Sequence, residues 1–183
     1  EHIIGNPLSP YAVTKYTNEL YGQVFSSSYN LNSVGLRYFN VFGKRQDPNG
    51  AYAAVIPRWI DAMHNEKDIE IFGDGETTRD FCYIDNVVEA NILAALSNIE
   101  SHEVFNIAIG KQTSLNELLK QIANALLQKG ISNNSKVIYK DFRSGDVRHS
   151  LANISKAKKL LGYEPRIEAN EGIIRTVDWF LNK

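Results

Sequence analysis

Apolar residues recur along the chain at two spacings, and segments with the two spacings alternate. Helical spacing predicts helices, and short apolar runs bounded by turn residues predict strands between them. The predicted helices cover about residues 10–29, 53–64, 86–97, 115–128, 155–161 and 171–181, and the predicted strands about residues 34–39, 69–72, 80–84, 104–107 and 136–139. Short strands that alternate with longer helices predict an α/β fold.

Capping residues predict where three of these helices begin. Ser9 is a good N-cap, and Pro10 behind it suits the first helical position. Ser114 and Asp85 are N-cap residue types that directly precede two other helical patterns. We therefore expect these helices to start immediately after Ser9, Asp85 and Ser114.

The composition is that of an ordinary globular protein. The 183 residues are 43% hydrophobic, which is enough apolar material to bury a sizeable core. A net charge of −1 gives no electrostatic reason to expect nucleic acid or an anionic membrane as a partner. No apolar run reaches the roughly 20 residues of a bilayer span. The sequence does not begin with Met, and we expect its natural N-terminus to lie further upstream.

Cys82 is the single cysteine and lies in the apolar run Phe81–Ile84. One cysteine cannot form an internal disulfide, so a reducing cytoplasmic location fits best. Its apolar neighbours predict a buried strand residue and not a nucleophile. The four histidines show no metal-ligand spacing, and we predict no metal site.

Tyr11 and Lys15 form the first pair with candidate chemistry. Residues four apart share one helix face, and an ammonium beside a phenol favours the phenolate. A phenolate can take a proton from a sugar hydroxyl. The spacing alone is weak, because chance gives roughly 0.6 such pairs in this composition, and a surface tyrosine beside a solvated lysine remains the alternative.

No glycine-rich turn of the dinucleotide-binding type occurs in the sequence. Gly73 and Gly75 follow a predicted strand, but they do not open a helix. The chain therefore lacks the usual pyrophosphate-binding turn of a dinucleotide fold.

Four motifs in chain order resemble one family. They are Ser9–Lys15, Leu36–Gly43, Gly73–Phe81 and Arg143–Asp146, and they resemble the C-terminal half of extended short-chain dehydrogenases/reductases that act on nucleotide sugars. Residues 48–57 and 143–156 are most similar to the subgroup that interconverts UDP-GlcNAc and UDP-GalNAc. The resemblance implies that residues 1–45 end a Rossmann-type domain and residues 46–183 form a smaller α/β substrate-binding domain. Residues 80–107 would pack back on the Rossmann part.

The resemblance also implies a mechanism and a cofactor, NAD. In this family NAD takes hydride from sugar C4 and returns it to the other face of a 4-keto sugar, while a tyrosine matching Tyr11 handles the 4-OH proton. Lys15 would hold the nicotinamide ribose and assist Tyr11, and Tyr38 would lie near the nicotinamide. The upstream half of such an enzyme would carry the glycine motif and a catalytic Ser or Thr.

The same resemblance implies the residues that bind the UDP-sugar. Arginine suits a diphosphate because its planar fork matches phosphate oxygens. The implied contacts are Arg79, Arg143 and Asn40 to phosphate, Asp146 and Phe72 to ribose, Ile71 to uracil, Ser150 at the wall beside the sugar C2 substituent, and Ala54 and Val55 elsewhere in the site. Surface arginines, a core Phe72 and a loop Ser150 are the structural alternatives.

Several functions remain open at this point. The resemblance favours 4-epimerisation of a UDP-N-acetylhexosamine, and another nucleotide-sugar epimerase or a 4,6-dehydratase of the same family is the nearest alternative. A substrate-domain fragment without catalytic activity is the third. We also predict a homodimer through the helix at 10–29, whose apolar residues Tyr16, Leu20, Tyr21 and Val24 need burial.

Overall fold

The computed structural model describes residues 5–50, 54–143 and 145–182. The helices are α1 (Pro10–Tyr29), α2 (Val55–His64), α3 (Ile84–Leu96), α4 (Leu115–Gln128), α5 (Ser155–Leu161) and α6 (Ala169–Leu181). The strands are β1 (Ser33–Tyr38), β2 (Asn40–Phe42), β3 (Ile69–Phe72), β4 (Thr78–Arg79), β5 (Phe81–Tyr83), β6 (His102–Ile107), β7 (Thr113–Ser114) and β8 (Val137–Lys140). The α/β class predicted from the apolar spacing is confirmed.

Two of the three predicted helix starts are confirmed by their caps. The Ser9 hydroxyl accepts a hydrogen bond from the Ala12 amide at 3.1 Å, and α1 begins at Pro10. The Ser114 hydroxyl accepts one from the Glu117 amide at 3.1 Å, and α4 begins directly after it. Each cap satisfies one of the backbone N–H groups that a helix start leaves without a partner.

The predicted start of α3 after Asp85 is wrong. The helix begins at Ile84, its N-cap is Tyr83, and Asp85 lies inside the first turn. The physical reason is that β5 leads directly into α3 without a loop. Ile84 also packs closely on Gly43, because a Cβ atom at Gly43 would collide with the Ile84 side chain. Asp85 still favours the helix, since a carboxylate in the first turn complements the helix dipole.

Strands β1 and β6 form a parallel pair with helices on opposite faces. The register runs from Ser33 beside His102 to Tyr38 beside Ile107. On one face α1 approaches so closely that a side chain at Gly22 would overlap the His102 ring. On the other face the Tyr38 hydroxyl donates to Asn91 Oδ1 of α3 at 3.0 Å. The end of β1 is therefore held between two helices.

The chain leaves β1 for a second parallel pair, β2 and β5. The Phe39 amide still donates to the Ile107 carbonyl of β6 at 3.1 Å. The amide of the next residue, Asn40, donates to the Asp80 carbonyl beside β5 at 3.1 Å. β3 pairs with β8 in parallel, and β4 pairs with β7 in antiparallel fashion. The very short strands β2, β4 and β7 were not predicted, because their partners rather than their own apolar spacing define them.

An aromatic cluster joins the second strand pair to α6. Phe42 meets Phe81 and Tyr83 edge-on, with ring centroids 6.4 and 5.6 Å apart, and all three are buried. A Cβ atom at Gly172 would lie 2.8 Å from Phe42 Cζ, so glycine lets α6 pack directly on the rings. Burying one such ring stabilises the fold by about 1.5–3 kcal/mol.

In the ranges that the structure describes, no helix has the length and apolar character needed to cross a membrane. The division into residues 1–45 and 46–183, with residues 80–107 returning to the first part, stays a prediction.

Cys82 is fully buried in β5, which confirms the predicted buried strand position. Burial raises the pKa of the Cys82 thiol to about 11, and little thiolate forms near neutral pH. We expect no reaction with an aromatic disulfide reagent in native buffer at about pH 8, and one equivalent of reaction in denaturant. Native labelling at the rate of free cysteine would contradict the buried placement.

Candidate functional site

A cavity of about 260 Å³ lies between β2, α2, β3 and β4. Eight of the nine substrate residues implied by the sequence resemblance line it: Asn40, Ala54, Val55, Ile71, Phe72, Arg79, Arg143 and Asp146. They come from segments far apart in sequence, so only the fold brings them together. The ninth residue, Ser150, lines a neighbouring cavity. The roles of these residues stay predictions.

Arg79 is fixed in the wall of this cavity by β4 and the segment after Arg143. Its Nη1 donates to the Thr78 carbonyl at 2.9 Å and to the Arg148 carbonyl at 3.4 Å. Its Nη2 lies 3.8 Å from Asp146 Oδ1. The Arg79 side chain is 17% exposed, and Asp146 is 52% exposed. The arginine is thus held in place, while its acidic partner is open to solvent.

Arg143, another residue of the cavity wall, stacks on Phe72. The guanidinium carbon lies 3.7 Å from the centroid of the Phe72 ring, which is a cation–π arrangement. Directly after Phe72 the chain turns through Gly73 and Gly75, whose φ angles are +86° and +79°. These left-handed conformations favour glycine, and a side chain at Gly73 would collide with Phe142. The glycine pair therefore serves a tight turn that leads to Arg79.

The N-terminus of α2 forms another part of the cavity wall. Its N-cap is Ala54, whose side chain has no oxygen that could accept a hydrogen bond. Ala54, Val55 and Ile56 all line the cavity. A helix start presents N–H groups and the positive end of the helix dipole, and both favour an anion.

Sequence reasoning missed three polar residues in this wall, namely Arg58, Glu70 and Thr77. Arg58 follows Val55 by three residues, so the two share a helix face, and this spacing could have identified it. With Arg58 included, the arginines of the wall outnumber its carboxylates, Glu70 and Asp146. The cavity therefore suits an anionic ligand.

Asp80 lies behind the cavity and ties its segments together. Its carboxylate is fully buried and accepts backbone N–H bonds from Ile109 and Gly110, both at 3.0 Å, and from Ala152 at 3.3 Å. Burial raises the pKa of the Asp80 carboxyl above its ordinary value, and these N–H donors oppose the rise. Its own carbonyl accepts from the Asn40 amide. Three distant segments are thus positioned by one residue.

Tyr11 and Lys15 lie at a second, open cavity of about 470 Å³ between α1 and β1. The Lys15 ammonium is 5.2 Å from the centroid of the Tyr11 ring, so the structure brings the pair into contact. Tyr11 is 71% exposed, which leaves its hydroxyl accessible to a ligand. Tyr38 lines the same cavity.

A third cavity, of about 310 Å³ and widely open to solvent, adjoins the other two. Tyr38, Phe39, Asn40 and Ser150 line it. It shares Tyr38 with the Tyr11 cavity and Asn40 with the arginine cavity. These shared residues make the three cavities neighbours.

Comparison with known proteins shows the family of this chain. Residues 1–108 match the model of the NAD dependent epimerase/dehydratase family. The chain belongs to this family. The nucleotide-sugar family that the four motifs predicted is therefore confirmed.

Relatives in the epimerase/dehydratase family differ in the sugar that they are named for. A putative UDP-glucose 4-epimerase of Methanocaldococcus jannaschii is 41% identical over 97% of this chain and 55% of its own length. A UDP-glucuronate 4-epimerase of Thermodesulfobacterium geofontis is 40% identical over 96% of this chain and 51% of its own. This chain thus spans about half the length of the curated relatives that it matches.

A solved structure of the same family has a closely similar fold. It is the UDP-N-acetylglucosamine 4-epimerase of Methanobrevibacter ruminantium in complex with UDP-N-acetylmuramic acid. Its TM-score is 0.88, with 43% identity over 97% of this chain and 55% of that chain. At this identity the likeness supports a shared family as well as a shared fold.

Proposed function

We propose that this chain forms the UDP-sugar site and supplies the catalytic tyrosine of an NAD-dependent 4-epimerase of UDP-N-acetylhexosamines. The observation that carries the proposal is the row of three cavities, which joins Arg79 to Tyr11 through Asn40 and Tyr38. Because the chain spans about half of its relatives, we assign the activity to a full-length enzyme in which a glycine-rich half precedes it.

The arginine cavity would hold the uridine diphosphate. Arg79 and Arg143 supply guanidinium groups for the phosphates, and the start of α2 adds backbone donors. When phosphate oxygens bind Arg79, Asp146 is released from its 3.8 Å contact and can accept from a ribose hydroxyl. Phe72 packs on the ribose, and Ile71 lies beside the uracil.

As a phenolate, the Tyr11 oxygen would accept the proton of the sugar 4-OH and, as the phenol, later return it to the same sugar oxygen. NAD, when bound, supplies the reversible oxidation at sugar C4. The residues present fit this cofactor, because Tyr11, Lys15 and Tyr38 face one open cavity and Lys15 has donors for ribose hydroxyls. The preceding half would hold the pyrophosphate of NAD, since this chain has no glycine-rich turn for it.

Ser150 favours an N-acetylated sugar over the alternatives. Its small side chain lines the cavity between the diphosphate residues and Tyr11, where the sugar would lie. UDP-glucose and UDP-glucuronate epimerisation, and 4,6-dehydration, use the same Tyr/Lys pair and remain the nearest alternatives. The single buried cysteine agrees with a cytoplasmic enzyme.

A second copy of this chain is the partner that we propose for the outer face of α1. Leu20, Tyr21 and Val24 are 44%, 62% and 53% exposed there, and pairing two such helices would bury them.

Titration of UDP into the chain tests the proposed binding site. We expect Arg143→Met to weaken UDP binding by about 10- to 100-fold, the range for hydrogen bonds to charged groups. Arg166→Met is the matched control, because Arg166 is 79% exposed and paired with Glu89 away from the cavity. An unchanged affinity for Arg143→Met would remove Arg143 from the site.

Two further outcomes of the UDP titration and of an epimerase assay distinguish the epimerase from a non-catalytic binding module. Absence of UDP binding would overturn the assignment of the cavity. UDP binding by the chain, together with no epimerase activity in the full-length protein, would favour the non-catalytic binding module.

A further inference from the structure

Arg37 of β1 forms a two-pronged ion pair with Glu19 of α1. Its Nε donates to Glu19 Oε1 and its Nη2 to Oε2, both at 2.7 Å. The two side chains are only 28% and 19% exposed. Bidentate pairs with limited exposure are stronger and better defined than ordinary surface ion pairs. Glu19 is therefore firmly held against the sheet.

Glu19 follows Lys15 by four residues, just as Lys15 follows Tyr11 by four. Side chains at this spacing are neighbours on one helix face, so the Glu19 carboxylate is within reach of the Lys15 ammonium. In the structure Arg37 binds Glu19 instead, and the Lys15 ammonium lies over the Tyr11 ring. Tyr11, Lys15, Glu19 and Arg37 line the same open cavity.

We propose that Arg37 is a positioning residue for the Tyr11–Lys15 pair. It engages the Glu19 carboxylate and so leaves the Lys15 ammonium available to Tyr11 and to a bound ribose. The inference rests on the proposed function, because it assigns a task to the same Tyr/Lys pair.

Electrostatics gives the reason why loss of Arg37 would redirect Lys15. Removing one partner from a partly buried ion pair leaves the other charge without compensation, which is unfavourable. Glu19 would then attract the Lys15 ammonium one helical turn away. A lysine paired with a carboxylate stabilises a phenolate less and must break that pair before it can bind ribose.

Chemical labelling of Lys15 in this chain tests the inference without any need for activity. Brief acetylation followed by mass spectrometry compares Lys15 with Lys120, an exposed lysine of α4 that serves as the internal reference. We expect Arg37→Met to slow Lys15 labelling about threefold or more, because a paired amine stays protonated. Adding Glu19→Gln to Arg37→Met should restore the original rate.

The full-length enzyme provides the second arm. We expect Arg37→Met to lower kcat and NAD affinity about tenfold, a part of the range for a positioned acid–base group. UDP affinity should be unchanged, since the arginine cavity lies elsewhere, and the double variant Arg37→Met/Glu19→Gln should recover most of the loss. Arg175→Met is the control, because Arg175 also forms ion pairs with carboxylates, Glu171 and Asp85, but lines neither the arginine cavity nor the Tyr11 cavity.

Each outcome decides the proposal. Unchanged Lys15 labelling in Arg37→Met, or a double variant as impaired as the single one, would show that Arg37 is merely structural. If Arg37→Met does not fold, Arg37→Lys replaces it. Lysine keeps one charged contact with Glu19 but loses the two-pronged hydrogen bonding of arginine. Lys15 labelling that is not slowed in Arg37→Lys would overturn the inference. An inactive wild-type enzyme would refute the proposed function, and the labelling result would still decide the role of Arg37.

Discussion

Replacement of Tyr11 by phenylalanine should lower kcat of the full-length enzyme by about 10²–10⁴-fold, the contribution of a positioned acid–base group. The change removes only a hydroxyl from a side chain that is 71% exposed, so the fold should be unaffected. Tyr11 lines a different cavity from Arg79 and Arg143, and UDP affinity should therefore stay the same. Steady-state kinetics together with UDP titration measures both quantities.

The matched control for this prediction is Tyr29→Phe. Tyr29 lies at the other end of α1 and is also 71% exposed, so the same atom is removed from the same helix at the same exposure. We expect kcat to be unchanged in this variant. A kcat near wild type for Tyr11→Phe would mean that another group accepts the proton.

Replacement of Ser150 by tyrosine should change which sugar the enzyme accepts. Ser150 is held by the bond from its amide to the Thr78 carbonyl at 3.2 Å, so a larger side chain would enter the cavity beside Tyr38 and Asn40. An N-acetyl group needs that space, and steric overlap excludes it. We expect kcat/KM for UDP-GlcNAc to fall about tenfold or more, and that for UDP-glucose to be retained.

Ser101→Tyr is the control for the added tyrosine, because Ser101 is exposed in the turn before β6. It should leave both kcat/KM values unchanged. An equal loss for both sugars in Ser150→Tyr would indicate general damage to the site. No loss for either sugar would remove Ser150 from the wall of the sugar cavity.

Local chemistry made part of the fold predictable from the sequence. Ser9, Pro10 and Ser114 determine helix starts through atoms within a few residues, and both starts were predicted correctly. The start at Asp85 was wrong because β5 leads directly into α3, so the end of the strand and not a local cap determines where the helix begins. Strand β4 has two residues and exists only through its partners, so no apolar spacing could reveal it.

In the candidate site too, residues with a local sequence signal were predictable, and residues that act through distant contacts were not. The family motifs supplied the arginines and Tyr11, and the structure gathers them around connected cavities. Arg58 was missed, although its spacing of three residues from Val55 indicates a shared helix face. Asn91 and the buried carboxylate of Asp80 carry no local signal, because their importance comes entirely from the segments that they join.

The buried Asp80 carboxylate holds the backbone of this site in place, while side chains on that backbone can be replaced. It anchors the backbone at Ala152, two residues after Ser150, and the carbonyl of the same residue binds the Asn40 amide. Side chains at position 150 can therefore change size while the backbone that carries them keeps its place. Mutant libraries that diversify position 150 and preserve Asp80 should yield variants with new sugar preferences at a higher frequency than libraries that also vary the anchor.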